Sequence, residues 1–443
     1  MLQAIENLTK EFLEISNNKS VRVISHHDTD GITSAAIMIK TLKRLDKKFS
    51  IRIVKNLEED ILKEELKRSE REILIFTDLA SGSLDYFQDL KNPIFILDHH
   101  EINKEKLNNQ IKIINPHLFD EEEICGAGLS YLFAKSISKD NIDLAPLAIM
   151  GMIGDRLESN ISKINNIIIK DTKDLIIKKG LLIFSATRPL KRSLEYSTST
   201  YIPGVTGSSI GVTELLRETG IPPDKTLCDL NDEEMSRLVT AIMLRRTKQN
   251  EKDSIIGNLY MLKFLNRKED VRELSVLINA CSRLGYSDIA LAFCLENKEA
   301  EKTAQNIYIK YKQQLISSLK LIEEVEQNSI EKLIGNGFVI VNAKDEIKDT
   351  IIGTVMSMIS SSMNYEEGTI LIGMAYNQDK IKVSARTVGK GRNLKEILEK
   401  TVMNFEAEVG GHHNAAGCLI KKEYEKEFID SLRKNLEIEV VKI

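Results

Sequence analysis

Short apolar runs that stop abruptly at acids or histidines organise the first part of the chain. Residues 21–24, 51–54, 73–76, 94–97 and 111–114 are such runs, each short, largely apolar and rich in isoleucine, valine or phenylalanine. Runs of this length bounded by polar residues predict buried strands. Between the first two lies a helical segment opening at Ile32 and running to about Leu45, and residues 58–72 alternate acids and bases as a solvated helix face does. Strands alternating with helices predict an α/β fold, with a parallel sheet covered by helices on both faces. Beyond Asn115 the pattern turns largely helical. The glycine-flanked apolar stretch 129–137 and the stretch 144–153 are helices, and 160–300 reads as helical elaboration of the first domain. Over residues 301–326 Tyr308, Tyr311, Leu315, Leu319 and Ile322 make one apolar stripe at helical spacing, which predicts a linker helix. Runs at 338–341, 369–372 and 381–384, with a helix at 351–361, predict a second, smaller α/β unit. The expected division is 1–300, a linker over 301–330 and a final domain over 331–443.

The polar residues that end the strands matter more than the strands. The first run leads into His26-His27-Asp28-Thr29-Asp30-Gly31, the third into Thr77-Asp78 and the fourth into Asp98-His99-His100. Strand C-termini of a parallel sheet share one edge, where ligands bind. His26, Asp28, Asp30, Asp78, Asp98, His99 and His100 are therefore expected to converge. Asp155 follows a long apolar stretch and reads either as a helix cap or as a further member of this group. Of the seven histidines, six come as adjacent pairs: 26/27, 99/100 and 412/413.

Carboxylates and imidazoles without thiolates suit hard or borderline divalent ions, manganese or magnesium above all. Several carboxylates at one edge repel unless cations lie between them, and two metal ions would relieve that repulsion and clamp a phosphate. Asp78, alone at the end of a central strand, is the candidate bridge. His99 is a candidate ligand, His100 faces phosphate or a ligand's outer side, and Asp98 supports both. Near the C-terminus Gly410, Gly411, His412 and His413 lead into Asn414-Ala415-Ala416-Gly417, where paired glycines let the backbone approach a ligand closely and the imidazoles can donate to phosphate oxygens, against the plainer reading of a turn with incidental histidines. The basic turn 390–393 lies nearby.

Composition narrows the classes. With 42% hydrophobic and 29% charged residues among 443, the chain is an ordinary globular protein large enough for two or three domains. A net charge of −4 excludes a bulk basic field, so any nucleic acid would meet local patches. The five cysteines form no CxxC pair, which argues against a thiolate zinc site or a disulfide framework and for a reducing interior. The N-terminal segment is amphipathic with mixed charge, no run reaches membrane-span length, and a cytoplasmic location is expected.

These motifs, in this order, resemble the DHH phosphoesterase family. Asp98-His99-His100 matches the naming triad, His26 to Gly31 the first motif, the lone Asp78 the second, Asp155 in Gly-Asp-Arg the fourth, and Gly410 to Gly417 the DHHA1 domain. The middle segments 185–190, 201–204 and 279–285 are similar to those of archaeal RecJ-like exonucleases, the GINS-associated and Hef-associated nucleases among them. The resemblance implies a parallel-sheet DHH domain joined to a DHHA1 domain. It implies metal-dependent exonucleolytic cleavage of single-stranded DNA, RNA or both, in DNA replication or repair, with two manganese ions and magnesium as the alternative. It further implies that His26, Asp28 and Asp78 hold one ion and Asp30, Asp78, His99 and Asp155 the other. Asp28, Asp30, Asp78, His99, His100 and Asp155 would then be catalytic, and His100, Arg386, Gly410, Gly411, His412 and His413 would meet the substrate. Many relatives place the first histidine four residues before the first aspartate, whereas His26 is two before Asp28, so His27 competes for its role. Other classes compatible with the sequence are a phosphoesterase for short oligonucleotides or cyclic dinucleotides, and a replication-complex scaffold.

Overall fold

The five apolar runs form one sheet. In the computed structural model they are β1 (Ser20–His26), β2 (Phe49–Val54), β3 (Glu72–Thr77), β4 (Ile94–Leu97) and β5 (Ile111–Ile114). The structure describes residues 1–438 apart from 69–70, 88–92, 120–122, 184, 198–201, 246–254, 324–328, 362–364 and 406. The sheet is parallel throughout, in the order β2-β1-β3-β4-β5. Alternation along the strands divides the side chains between two cores. Val21, Val23, Ile73, Ile75, Phe95 and Leu97 face one, which contains residues of the helices Leu2–Ile15, Thr29–Arg44, Gly126–Ile137 and Ala145–Gly154. Ile24, Leu74, Phe76, Ile94 and Ile96 face the other, with Leu62 of the helix Glu59–Arg68 and Leu84 and Phe87 of a 3-10 turn. Burial on both faces explains why these strands are nearly continuous apolar runs.

The strand order places the functional edge. Chain direction across the sheet reverses between β1 and β3, because β2 lies on one side of β1 and everything later on the other. A crevice opens at the carboxyl ends of strands flanking such a reversal. β1 ends at His26 and β3 at Thr77, so His26, Asp28 and Asp78 flank that point.

The chain divides into two compact units. The first comprises Met1–Ser193, Gly220–Val239 and Ser254–Tyr308, and the second Leu194–Thr219, Thr240–Asp253 and Ile309–Ile443. The first unit holds a second sheet where only helical elaboration was expected. β6 (Ile176–Leu181), β7 (Ile256–Phe264) and β8 (Arg267–Asp270) pair antiparallel in sequence order. β6 reads Ile-Ile-Lys-Lys-Gly-Leu and buries only its last two residues, so it carries no alternation to betray it. Helices Val271–Arg283 and Ser287–Cys294 follow.

The expected linker helix runs from Lys298 to Glu323, and residues 324–326 of the expected span lie outside the described residues. In the second unit its residues Tyr311, Leu315 and Ile322 are buried, and the Tyr311 hydroxyl meets Thr354 Oγ1 at 3.2 Å. The second unit's sheet comprises β9 (Glu331–Gly335), β10 (Phe338–Asn342), β11 (Ile370–Asn377), β12 (Lys380–Thr387), β13 (Glu408–His412) and β14 (Ala415–Lys421). Its order is β13-β14-β12-β11-β10-β9, with β10 and β11 parallel and the other pairs antiparallel. The helix Asp349–Ser360 makes the crossover that a parallel pair requires. Helices Leu394–Val402 and Glu425–Ile438 bury Ile397, Leu398, Phe428 and Leu432 against Ile340, Ile372 and Val383. Three of the six strands were legible. The edge strand β9 and the glycine-containing hairpin β13–β14 were not.

All five cysteines are free. Among the described residues no helix is long and apolar enough to cross a membrane.

Phe12 ties the N-terminal helix to the sheet. It is fully buried and packs edge-on to Phe95, with centroids 5.4 Å apart, and to Phe133 at 5.5 Å. Phe12→Ala removes the ring from both contacts and is expected to lower unfolding free energy by about 3–5 kcal/mol, read as an earlier urea midpoint.

Candidate metal centre

The strand ends bring the acids and imidazoles together. Asp28 caps the helix Thr29–Arg44: its Oδ1 accepts from Gly31 N at 3.0 Å, which leaves Oδ2 to face His26 Nδ1 at 3.2 Å. His26 Nδ1 also lies 3.5 Å from Asp78 Oδ2. His99 Nε2 is 3.3 Å from Asp78 Oδ1, 3.3 Å from Asp155 Oδ2 and 3.8 Å from Asp30 Oδ2. Two triplets result, His26/Asp28/Asp78 and Asp30/His99/Asp155, each with ligand atoms within 4.8 Å of one another. Asp78, His99 and His100 form a third group by the same measure.

Main-chain groups hold Asp28 and Asp30 from behind, and the Asp78 backbone is anchored. Asp30 is buried at the N-terminus of the helix Gly126–Ile137, accepting from Gly126 N at 2.6 Å and Ala127 N at 2.8 Å. Orphan N–H groups at a helix start stabilise such a charge. A Cβ on Gly126 would lie 2.7 Å from Asp78 Cβ, and one on Gly151 2.5 Å from Asp30 Oδ1, so both glycines are needed for close approach. Asp78 itself takes a left-handed backbone, φ +58°, which is uncommon for a residue other than glycine and which asparagine and aspartate tolerate best. Its N–H donates to Leu97 O at 2.9 Å, anchoring the bend to β4.

The electrostatics are those of crowded acids. Burial, then the charge of Asp28, pushes the Asp78 carboxyl up to about 7 against the opposing pull of His26 and His100. Asp30 and Asp155 are likewise pushed well up, by burial first and by neighbouring carboxylates second. Burial opposes charge on Asp28 and His26 as well. Yet their pairing overrides it, holding Asp28 far below and His26 well above their ordinary values. His27 goes the other way: burial and the adjacent His26 push it down to about 3.

Asp98 plays a different part from its motif partners. It is fully buried, and its Oδ2 accepts from Ser81 N at 2.8 Å. Its Oδ1 meets His99 N at 2.8 Å, His100 N at 3.4 Å and His100 Nδ1 at 2.7 Å. These bonds shape the loop and engage one nitrogen of His100, leaving Nε2 as the other. Hydrogen bonding to Asp98, against burial, raises His100 to about 9. Asn115 completes the frame by donating to Ser81 Oγ at 2.9 Å and His100 O at 2.8 Å.

Several of these supports were not anticipated. Ser81, Asn115, Gly126 and Ala127 act through backbone or amide groups that carry no signature of their own. The clue available was the Gly126-Ala127-Gly128 start of an apolar helix, which marks an anion-accepting N-terminus. His117, the unpaired histidine, is exposed and lies outside the group.

The other predicted contact residues lie in the second unit. Arg386 of β12 pairs with Ala415 of β14, which pairs with His412 of β13. Residues directly opposite point to the same face, so Arg386 and His412 share one face two strands apart, roughly 10 Å. The Arg386 Nε donates to Ser357 Oγ at 2.8 Å. Gly410, Gly411, His412 and His413 are exposed. The stretch 410–417, given no secondary structure from the sequence, is a β-hairpin whose turn holds only His413 and Asn414. Gly411, φ +123°, is where the strands approach too closely for a side chain. In the basic turn, Arg392 Nη1 donates to Leu436 O at 2.9 Å, a structural use. Tyr201, at the start of another quoted segment, lies outside the described residues.

Comparison with known proteins bears on this arrangement. Residues 20–152 match the DHH family N-terminal domain, 183–260 the DHH-CID domain and 336–438 the DHHA1 domain. The chain is a RecJ-like member of the DHH/DHHA1 family. It is 28% identical to an uncharacterized protein of Methanocaldococcus jannaschii, over 97% of this chain and 96% of that one. It is 23% identical to the single-stranded-DNA-specific exonuclease RecJ of Bacillus subtilis, over 92% of this chain but 44% of that protein. Among solved structures, RecJ of Thermus thermophilus in complex with Mn2+ matches with TM-score 0.60 and 16% identity, over 97% of this chain and 54% of that one. CDC45 of Entamoeba histolytica matches with TM-score 0.63 and 13% identity, over 98% and 99%. At such identities the likeness to these structures is one of fold. The family match runs through β1 to β5 and includes every strand end described above.

The Asp98–His100 pair gives a direct test. In the metal-free chain Asp98→Asn removes the charge that raises His100, so its pKa is expected to fall from about 9 toward the ordinary value of about 6.5. An NMR titration of the histidine ring protons reads this shift, and an unmoved pKa contradicts the assignment.

Proposed function

We propose that this chain is a metal-dependent exonuclease that hydrolyses phosphodiester bonds of single-stranded DNA or RNA. The carrying observation is the pair of ligand triplets, His26/Asp28/Asp78 and Asp30/His99/Asp155, meeting around Asp78 at the strand-end edge.

The donor set fits divalent cations. Among the described residues, His26 Nδ1, Asp78 Oδ2 and Asp155 Oδ2 are buried without a well-aligned hydrogen bond and meet only one another's groups, Asp28 and His99, at 3.2–3.5 Å. Buried polar atoms are ordinarily satisfied, and these three converge on one place. The raised Asp30, Asp78 and Asp155 carboxyls repel one another where a cation would unite them. Oxygen and imidazole donors without thiolate favour manganese or magnesium. In this reading His26, Asp28 and Asp78 would hold one ion and Asp30, Asp78, His99 and Asp155 the second, with Asp78 common to both sets. The ions supply Lewis acidity toward a phosphoryl oxygen and toward water.

The remaining roles belong to the chain's own side chains. Asp98 holds Nδ1 of a protonated His100, so Nε2 is the donor left for a phosphoryl oxygen. Arg386 and His412, on one face of the second sheet, contact the strand's phosphates, with Gly410, Gly411 and His413 beside them. A role in DNA replication or repair, with partners such as GINS or a Hef-type nuclease, comes from the family resemblance and is open to co-purification.

Digestion of end-labelled single-stranded DNA, RNA and duplex with manganese tests the reading. Release of nucleotides from single strands supports it. Cleavage confined to short oligonucleotides or cyclic dinucleotides would replace it with a small-substrate phosphoesterase, and no cleavage with any metal would favour a scaffold. Asp78→Asn keeps a residue that tolerates left-handed backbone while removing the bridging charge. It is expected to lower cleavage about 1000-fold or more, since metal stabilisation is worth several kcal/mol. Metal-free melting should stay level or rise, because a repelled buried acid is gone. His412→Ala should weaken strand binding while leaving manganese uptake intact, as titration calorimetry with each would show.

A further inference from the structure

Asp28 and Asp30 flank Thr29, and Thr29 is held by a helix some 250 residues away in sequence. Thr29 N, one of the N–H groups that a helix start leaves without an intrahelical partner, donates to Asn279 Oδ1 at 3.0 Å. Thr29 Oγ1 donates to Ser275 O at 2.8 Å and lies 3.3 Å from Ser275 Oγ. Asn279 and Ser275 are one turn apart on the helix Val271–Arg283. The same helix reaches the Asp155 side: Arg272 Nη2 pairs with Glu158 Oε1 at 3.3 Å. A Cβ on Gly154, next to Asp155, would lie 2.9 Å from Thr29 Cβ, so Thr29 is wedged against the end of the helix Ala145–Gly154 too.

We propose that Asn279 is a positioning residue for the metal centre, fixing through Thr29 the spacing of Asp28 and Asp30. This rests on the metal-centre reading above. The argument is geometric. Asp30 is pinned by Gly126 N and Ala127 N, and Asp28 Oδ1 by Gly31 N. The residue between them is held at its carbonyl by Thr33 Oγ1 at 2.8 Å, while Asn279 and Ser275 fix its N–H and hydroxyl from outside the helix. Groups that orient metal ligands in this way typically carry about 10–100-fold in metal affinity.

The test is manganese titration calorimetry on the full chain and its variants. Asn279→Ala is expected to lower manganese affinity about 10–100-fold. Asn279→Asp retains an oxygen acceptor for Thr29 N and should restore most of it. The manganese concentration for half-maximal cleavage should rise in Asn279→Ala while KM for the strand stays put. Asn141→Ala removes a buried side-chain bond to Ala134 O and the acceptor for Arg44 Nη1 at the far end of the helix Thr29–Arg44, and is the control for general destabilisation. Thr29→Val, near in shape, loses the hydroxyl tether and reads the same effect if Asn279→Ala does not fold. Wild-type affinity in Asn279→Ala, or equal loss in Asn141→Ala, would overturn the tether. No manganese uptake by the wild-type chain would overturn the metal-centre reading itself.

Discussion

The crowding of carboxylates at one sheet edge is the constraint on which the first unit depends. Asp28, Asp30, Asp78 and Asp155 meet within reach of two imidazoles, and three of the four are pushed above their ordinary range by burial and mutual repulsion. Such an arrangement costs folding free energy, because a buried charge without compensation is expensive. It survives because the fold surrounds it with compensating groups. A helix N-terminus faces Asp30, Gly31 N meets Asp28, and His26 and His99 stand between acids. The left-handed Asp78 is part of the same strain, since local backbone cost clusters where function requires a particular aim.

The core makes this possible by being rigid in the right places. The β2-β1-β3 order opens the edge, and burial on both faces of the sheet prevents register slip that would move the strand ends. Gly126 and Gly151 let helices come close enough for main-chain donors to reach the acids. The packing of the helices and the geometry of the centre are therefore one problem: a methyl group added at either glycine would displace a candidate ligand.

Much of the parallel sheet was legible because its cause is local. Each of the five strands is an apolar run with polar punctuation, and each candidate acid or histidine on β1, β3 and β4 stands just at or after the run's end. Strand-end logic placed Asp28, Asp78 and His99 near one another without any knowledge of pairing. Legibility failed where the cause is non-local or unpatterned. β6 is exposed and lysine-containing, so nothing in it alternates. The hairpin at Gly410 was given no secondary structure, because paired glycines carry no strand signal. What makes it a hairpin is the ladder to Ala415–Lys421, which no local pattern announces.

The supports of the centre illustrate the same divide most sharply. Asp98 was legible as a supporting residue from its place beside two histidines, but what it supports, Ser81 N and His100 Nδ1, depends on loop closure. Asn279 stands in a segment quoted for its resemblance to relatives, yet its physical task could not be read there. An amide oxygen capping Thr29 N becomes visible only when the helix Val271–Arg283 is laid against the helix Thr29–Arg44. The ligands of such a centre are chosen by side-chain chemistry and so leave a mark in sequence. The groups that aim them are chosen by shape and by one hydrogen bond each. Residues of that kind are ordinary in composition, and only the folded chain distinguishes them from other asparagines.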